Sequence, residues 1–262
     1  MARENHPVLY ERVGPVARIT LNRPDKYNSL NAALAFSLQA ALDRCIEEPD
    51  LRAVYLTGAG KAFCAGQDLQ EVVAADAPSF ETILGKQLNP IVQKIRALEL
   101  PVVCGVNGVA AGAGANIALA CDLTVASASA SFIQAFSKIG LVPDTGGSYF
   151  LPRLVGPQRA AALTMLGERL SATDAAAMGL IYRVVPDADF DREAYALAER
   201  LAAMPTQALA LTKRALQAAF HNDFDRQLAL EQDLQVAAGS TYDYREGVAA
   251  FVEKRQPRFK GK

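Results

Sequence analysis

The chain has 262 residues, of which 51% are hydrophobic and 21% charged, enough apolar sequence for a sizeable core. Its 27 Lys and Arg against 28 Asp and Glu leave a net charge of −1. That balance excludes a partner held by bulk charge, whether nucleic acid or anionic membrane, though not a local basic patch for a phosphorylated ligand. With 2 His and 0 Trp, little material remains for His-based triads or multi-His metal sites, so acid–base work falls to carboxylates or backbone groups.

Residues 8–12 and 16–21 are short β-branched runs separated by Gly14-Pro15 and read as a hairpin. Residues 31–47 carry Leu34, Phe36, Leu38, Ala41, Leu42, Cys45 and Ile46 at helical spacing. A buried strand over 53–57 closes at Gly58-Ala59-Gly60. A helix over 80–98, a strand over 101–106, a helix over 113–120 and an extended run over 123–126 follow. From about Gly147 the pattern turns helical: 159–166, then 171–178 behind Ser171 as N-cap, a brief strand over 181–185, and amphipathic helices over 190–203, 206–220, 224–237 and 242–251. The rhythm predicts an α/β chain of short strands and helices that ends all-helical, with no repeat or long linker. The basic tail over 257–262 reads as a solvated end. Cys45, Cys64, Cys104 and Cys121 form no CxxC pair and read as reduced core thiols. The opening residues 1–7 lack an apolar stretch and no apolar run is long enough to span a bilayer, so the expectation is a soluble cytoplasmic protein without a secretory signal.

Three segments interrupt the core-like sequence with small or polar residues. The first, 62–69 (AFCAGQDL), follows a strand and reads either as a plain loop capped by Asp68 or as a backbone surface that a ligand approaches closely. The second, 106–116 (VNGVAAGAGAN), passes from strand to helix through small residues, so free N–H groups at a helix start would face a concavity and favour an anion or developing oxyanion. A dinucleotide fingerprint fits it poorly, because Ile117 takes the third small position and no acidic residue follows at about twenty residues on a strand end. The third, 140–147 (GLVPDTGG), is a tight turn entering a helix. There Asp144 reads equally as an N-cap or as a base whose carboxyl is pushed up by apolar neighbours such as Phe132, Phe136 and Leu141.

Together, Leu21-Asn22-Arg23-Pro24 with Asn28-Ser29-Leu30, the segment 63–69, the stretch from Asn107 to Asp122 and the turn 140–147 resemble the crotonase, or enoyl-CoA hydratase/isomerase, superfamily over nearly the whole chain. The resemblance implies a crotonase-like ββα spiral core over about 1–200 and a C-terminal helical region over 201–262 that trimerises and covers the CoA site. It implies an acyl-CoA thioester as substrate, no separate cofactor since CoA belongs to the substrate, no metal, and a homo-oligomer of trimers or paired trimers. It assigns the backbone N–H groups of Gln67 and Ala113 to a thioester oxyanion hole. It assigns CoA contacts to Lys26, Ala65, Gly66, Asp68, Leu69 and Gly112, with the basic residues Lys254, Lys260 and Lys262 as further candidates and Tyr149 and Phe150 as acyl-pocket candidates.

The two glutamates of the family's hydratases fall here at Asn116 and Phe136, neither of which transfers a proton. A carboxylate stands instead at Asp144, where isomerases and some aromatic acyl-CoA enzymes of the family carry one. The implied reaction is a proton shuttle: Asp144 takes a proton from one carbon and returns it to another, with Asn116 as its hydrogen-bonding orienter. A narrower likeness over 63–69, 107–115, 135–144 and 243–248 points to the branch that isomerises an aromatic ring epoxide of an acyl-CoA and shifts a 3-enoyl double bond to the 2-position. The alternatives are an aliphatic enoyl-CoA isomerase or hydratase and a non-catalytic scaffold of the same fold. The missing Trp disfavours the halobenzoyl-CoA dehalogenase branch.

Overall fold

The computed structural model describes residues 6–262; of the opening stretch read above for a secretory signal, residues 1–5 lie outside them. In chain order the elements are β1 (Val8–Val13), β2 (Val16–Leu21), α1 (Ala32–Glu47), β3 (Ala53–Gly58), β4 (Ala62–Cys64), α2 (Leu69–Val72), α3 (Phe80–Thr82), a π-helical turn Ile83–Leu88, α4 (Asn89–Ala97), β5 (Val102–Val106), β6 (Val109–Ala111) and α5 (Ala113–Ala120). There follow β7 (Leu123–Ser127), β8 (Ser131–Ile133), α6 (Gly147–Leu166), β9 (Arg169–Ser171), α7 (Ala172–Ala177), β10 (Arg183–Val185), α8 (Phe190–Ala202), α9 (Thr206–Ala218), α10 (Phe224–Gly239) and α11 (Tyr242–Val252).

Two sheets organise the core. The larger runs β1-β2-β3-β5-β7-β10, parallel except for the β1–β2 hairpin. The smaller runs β4-β6-β8-β9, with only β9 antiparallel. Each turn of the chain lays one strand in the large sheet, the next in the small one, and then goes on to helical structure: β3–β4, β5–β6 and β7–β8 are three successive windings of a ββα spiral. Strand alternation explains why both faces of the large sheet are covered. On β3, Val54 and Leu56 face the main core, while Ala53 and Tyr55 face α8 with Phe190, Ala194 and Leu197.

The small sheet was not legible in the sequence: 62–64 and 109–111 read as loop and helix approach, and their three-residue strands exist only because they pair with each other across the spiral. The helix expected over 80–98 is broken by the π turn. Pro90 lacks the N–H that would reach Lys86, and Gln39 of α1 instead donates to the freed Lys86 and Gln87 carbonyls at 2.8 and 2.9 Å. The helix expected over 159–166 starts at Gly147 and bends at Gly156, whose φ of 79° breaks it just before Pro157.

The tail is also not a loose solvated end. The carboxylate of Asp243, 2% exposed, accepts the Lys260 and Gly261 N–H groups at 2.6 and 2.7 Å. Arg52 donates to the Phe259 carbonyl at 2.8 Å, and Arg255 forks onto Glu246 at 2.6 and 2.9 Å. The Arg255 guanidinium and the Arg258 N–H pull the Glu246 carboxyl down to about 2. That contact therefore contributes fully above the ordinary glutamate range and is lost only as pH falls towards about 2. Asp243→Ala leaves two partly buried donors unmatched and is expected to cost about 2–3 kcal/mol in urea unfolding; a change below about 0.5 kcal/mol, the level of an ordinary surface substitution, would show that the tail is not clamped.

Candidate active site

The segments singled out by sequence converge through the small sheet. Leu30 bridges Gln67, with the Leu30 N–H on the Gly66 carbonyl at 2.7 Å and the Asp68 N–H on the Leu30 carbonyl at 2.8 Å. Arg23 holds this loop together by donating to the Ser29 carbonyl at 2.6 Å and to Asp68 at 2.9 Å, while buried Asn28 donates to the Ala59 and Ala62 carbonyls. The Gln67 side chain is tied to Glu71 at 2.9 Å, and Glu71 also accepts the Ala32 N–H at the start of α1. Gln67 is thus fixed at both backbone and side chain.

Opposite it, α5 begins at Gly112–Ala113. Gly66, at φ 88°, passes so close that a Cβ on it would lie 2.8 Å from the Ala111 carbonyl oxygen and 3.7 Å from the Ala113 nitrogen. Only a residue without a side chain allows that approach. The N–H groups of Gln67 and Ala113 have no hydrogen-bond partner among the described residues, the second because the first turn of a helix leaves its donors unmatched.

Both segments open onto one cavity of about 490 Å³. Its wall holds Ala65, Gly66, Gln67, Leu69, Gly112, Ala113 and Asp144, closed by apolar side chains such as Val72, Phe80, Ile83, Leu88, Phe136 and Leu141. The π turn supplies Ile83 and Leu88 to this wall, so the helix irregularity shapes the site. Among the described residues Asp144 is the one carboxylate on the wall. It does not cap α6, whose N-cap is Gly146 with no side-chain capping bond. Burial raises its carboxyl above the ordinary Asp range, opposed in part by the Thr145 hydroxyl, which donates to Asp144 Oδ1 at 2.7 Å. Thr145 sits at φ 50° and Gly146 at 82°, so the turn carries a strained, buried Thr, the kind of backbone cost that tends to gather at functional sites.

Several of the residues predicted from sequence stand off the wall. Lys26 is exposed and donates to Gln70 at 3.3 Å, and Asp68 is occupied by Arg23 and by the Gln70 N–H at the start of α2. Asn116 is fully buried, and its amide donates to the backbone carbonyl of Asp144 at 2.8 Å rather than to its carboxylate. Tyr149 and Phe150 line a separate depression with Arg96, Arg214 and His221, with Tyr149 Oη 2.9 Å from His221 Nε2. What sequence reasoning missed is Gln134, whose Nε2 donates to Asn116 Oδ1 at 2.8 Å; it lies eighteen positions from Asn116, and no local pattern marks that pairing.

The contact is tight. A Cβ on Gly147 would lie 2.4 Å from Asn116 Nδ2. Gly147→Ala is expected to push the Asn116 amide off Asp144 and destabilise the fold by about 1–3 kcal/mol, as overpacking of a filled core does; a wild-type melting temperature together with wild-type turnover would show the amide to be free to move. Among the described residues no group of three or more His, Cys, Asp or Glu side chains could hold a metal ion. All four cysteines are buried and free, and burial pushes the Cys45 thiol up to about 11 and the Cys64 thiol to about 12, so both stay neutral.

Two N–H donors and one carboxylate on a largely apolar wall, which also carries Lys138, form an arrangement that can hold a carbonyl oxygen and move a proton beside it. Residues 11–262 match the enoyl-CoA hydratase/isomerase family, and the chain belongs to that family. It is 48% identical over 257 residues to a probable enoyl-CoA hydratase of Rhodobacter capsulatus, covering 98% of this chain and 99% of that protein. It is 46% identical over 250 residues to the 1,2-epoxyphenylacetyl-CoA isomerase of Escherichia coli, covering 94% and 95%. The crystal structure of an enoyl-CoA hydratase from Bacillus anthracis superimposes with a TM-score of 0.92 at 35% identity, covering 98% of this chain and 100% of that one.

Proposed function

We propose that the protein is an acyl-CoA isomerase in which Asp144 shuttles a proton while the Gln67 and Ala113 N–H groups hold the thioester oxygen. The observation that carries this reading is the single carboxylate on the cavity wall. Adding water to a 2-enoyl thioester calls for one group to take a proton from water and another to protonate the α-carbon, and two carboxylates serve that division. Moving a double bond from the 3- to the 2-position needs one group only. The base takes a proton from C2, the electron pair runs into the thioester oxygen as an enolate, and the same acid returns the proton to C4. Two backbone donors aimed at that oxygen carry the developing charge and are worth roughly 3–4 kcal/mol each.

The acyl group we assign is aromatic, on the strength of the apolar wall and the E. coli relative. There the same base removes the acidified proton beside the thioester. The C–C bond shared by the epoxide and the six-membered ring breaks to give the seven-membered oxepin, and the Asp144 acid returns the proton to a ring carbon, so that the product is an isomer. We further assign a homo-oligomer, because the last three helices and the turn between α9 and α10 leave large apolar side chains outside: Leu216 at 64% exposure, Phe220 at 54%, Phe224 at 75% and Phe251 at 86%. Lys26, Asp68 and the tail lysines remain our candidates for the CoA moiety beyond the cavity.

The test offers the enzyme the ring-epoxide thioester, a 3-enoyl-CoA and a 2-enoyl-CoA separately and identifies products by mass. Oxepin and 2-enoyl products without hydration support the assignment. Rapid formation of a 3-hydroxyacyl product sinks it in favour of the hydratase reading, which the Rhodobacter relative's name favours.

A further inference from the structure

Asp144 reaches the cavity from a turn that its own residues hold only in part. Its backbone carbonyl is fixed from two sides, by the Gly147 N–H at 2.8 Å and by Asn116 Nδ2 at 2.8 Å, which uses both of the oxygen's lone pairs. The Asp144 carbonyl can only accept, so Asn116 presents its NH2 to it and its own oxygen is left pointing into the core, where it needs a donor. Gln134 supplies that donor. The side chain of Gln134, 4% exposed, stands between β8 and the turn that leads to Asp144, and its Nε2 donates to Asn116 Oδ1 at 2.8 Å. The Asn116 amide is thereby held at both ends. Gln134 Oε1 meanwhile has no partner, so the fold keeps a buried acceptor unmatched to hold this donor in place.

We infer that Gln134 is a positioning residue: by anchoring the oxygen of the Asn116 amide it holds the Asp144–Thr145 peptide, and with it the carboxylate, in the geometry for proton transfer. This rests on the reading of Asp144 as the base. The relay is a chain of aligned dipoles from Gln134 through Asn116 to the Asp144 carbonyl, each bond polarising the next. It restrains a turn that includes Thr145 at φ 50°, which would otherwise relax towards an unstrained backbone. A displacement of about 1 Å at the base is enough to cost roughly 100-fold in rate.

The experiment uses the full-length protein and two variants, Gln134→Leu and Gln134→Met, neither of which can donate to the Asn116 oxygen. Exchange of the α-protons of phenylacetyl-CoA into heavy water and turnover of a 3-enoyl-CoA are measured alongside circular dichroism and Asp144→Asn. Both variants are expected to stay folded, to lose about 10–100-fold in kcat and exchange, and to keep KM within about twofold, since a positioning defect acts on the chemical step and not on ground-state binding. A kcat within about twofold of the unmodified enzyme, or a loss expressed in KM alone, overturns the inference. Unfolding of both variants counts against it as well, by making the amide a packing element. The control separates the two readings: if Asp144→Asn still exchanges protons, the base assignment fails, whereas if it is inert and the Gln134 variants are active, only the positioning role falls.

Discussion

Asp144→Asn is expected to lower kcat for double-bond transposition by about 10²–10⁴-fold, the usual share of a positioned general base, and to leave the fold and the binding of a saturated acyl-CoA intact. The asparagine is isosteric and still accepts the Thr145 hydroxyl, so the turn has no reason to move. Because burial holds the Asp144 carboxyl above the ordinary range, the rate of the unmodified enzyme is lost, as pH falls, at a higher pH than a surface aspartate would give. The sign follows from which form works in the proposed mechanism: there the carboxylate is the base, and protonation removes it. Thr145→Val deletes the hydroxyl that favours the charged form while keeping the branched shape at φ 50°, and is expected to move this acid limb further up. A downward shift, or none, would show that the Thr145 hydroxyl does not tune the base. For folding the sign is opposite to that of a paired carboxylate. The folded state prefers the protonated form, so ionising Asp144 costs stability as pH climbs from 3.8 through the raised value.

Ala113→Pro is expected to lower kcat by about 10²–10³-fold without unfolding the protein, which few substitutions at a buried helix start would do. Ala113 is the first residue of α5, the position where proline is best tolerated because its missing N–H has no partner within the helix. Gly112 before it adopts φ 50° and ψ −125° and carries no Cβ to meet the ring. The substitution thus deletes one cavity-facing donor and sets a ring carbon where the thioester oxygen would bind. Steady-state kinetics with thermal melting checks it: a folded variant with turnover within about threefold of normal would remove Ala113 from the oxyanion assignment.

The parts of the site that depend on short-range pattern are legible in the chain itself. The small-residue runs around Gly66 and Gly112 are where backbone must meet backbone, and the Pro143-Asp144-Thr145-Gly146-Gly147 turn announces itself by composition. The helices from α8 onward match their periodicity to within a few residues because one apolar face is enough to specify them. The three-residue strands of the small sheet are hidden, since at that length propensity carries no weight and only pairing makes a strand.

From the sequence alone the α/β class, the family resemblance and the candidate carboxylate followed, and the count of 2 His already turned attention to that carboxylate. Tertiary structure decided where that carboxylate and its neighbours stand. It freed Asp144 from capping α6 and put it on the apolar wall. It turned Asn116 away from the cavity to grip a backbone carbonyl, and brought up Gln134 behind it. It also folded the basic tail onto Asp243. The reason is physical: helix faces and turns are set by neighbours within a few residues, whereas burial, an amide's orientation and a carboxyl's proton affinity depend on groups that only the folded chain brings within about 3 Å.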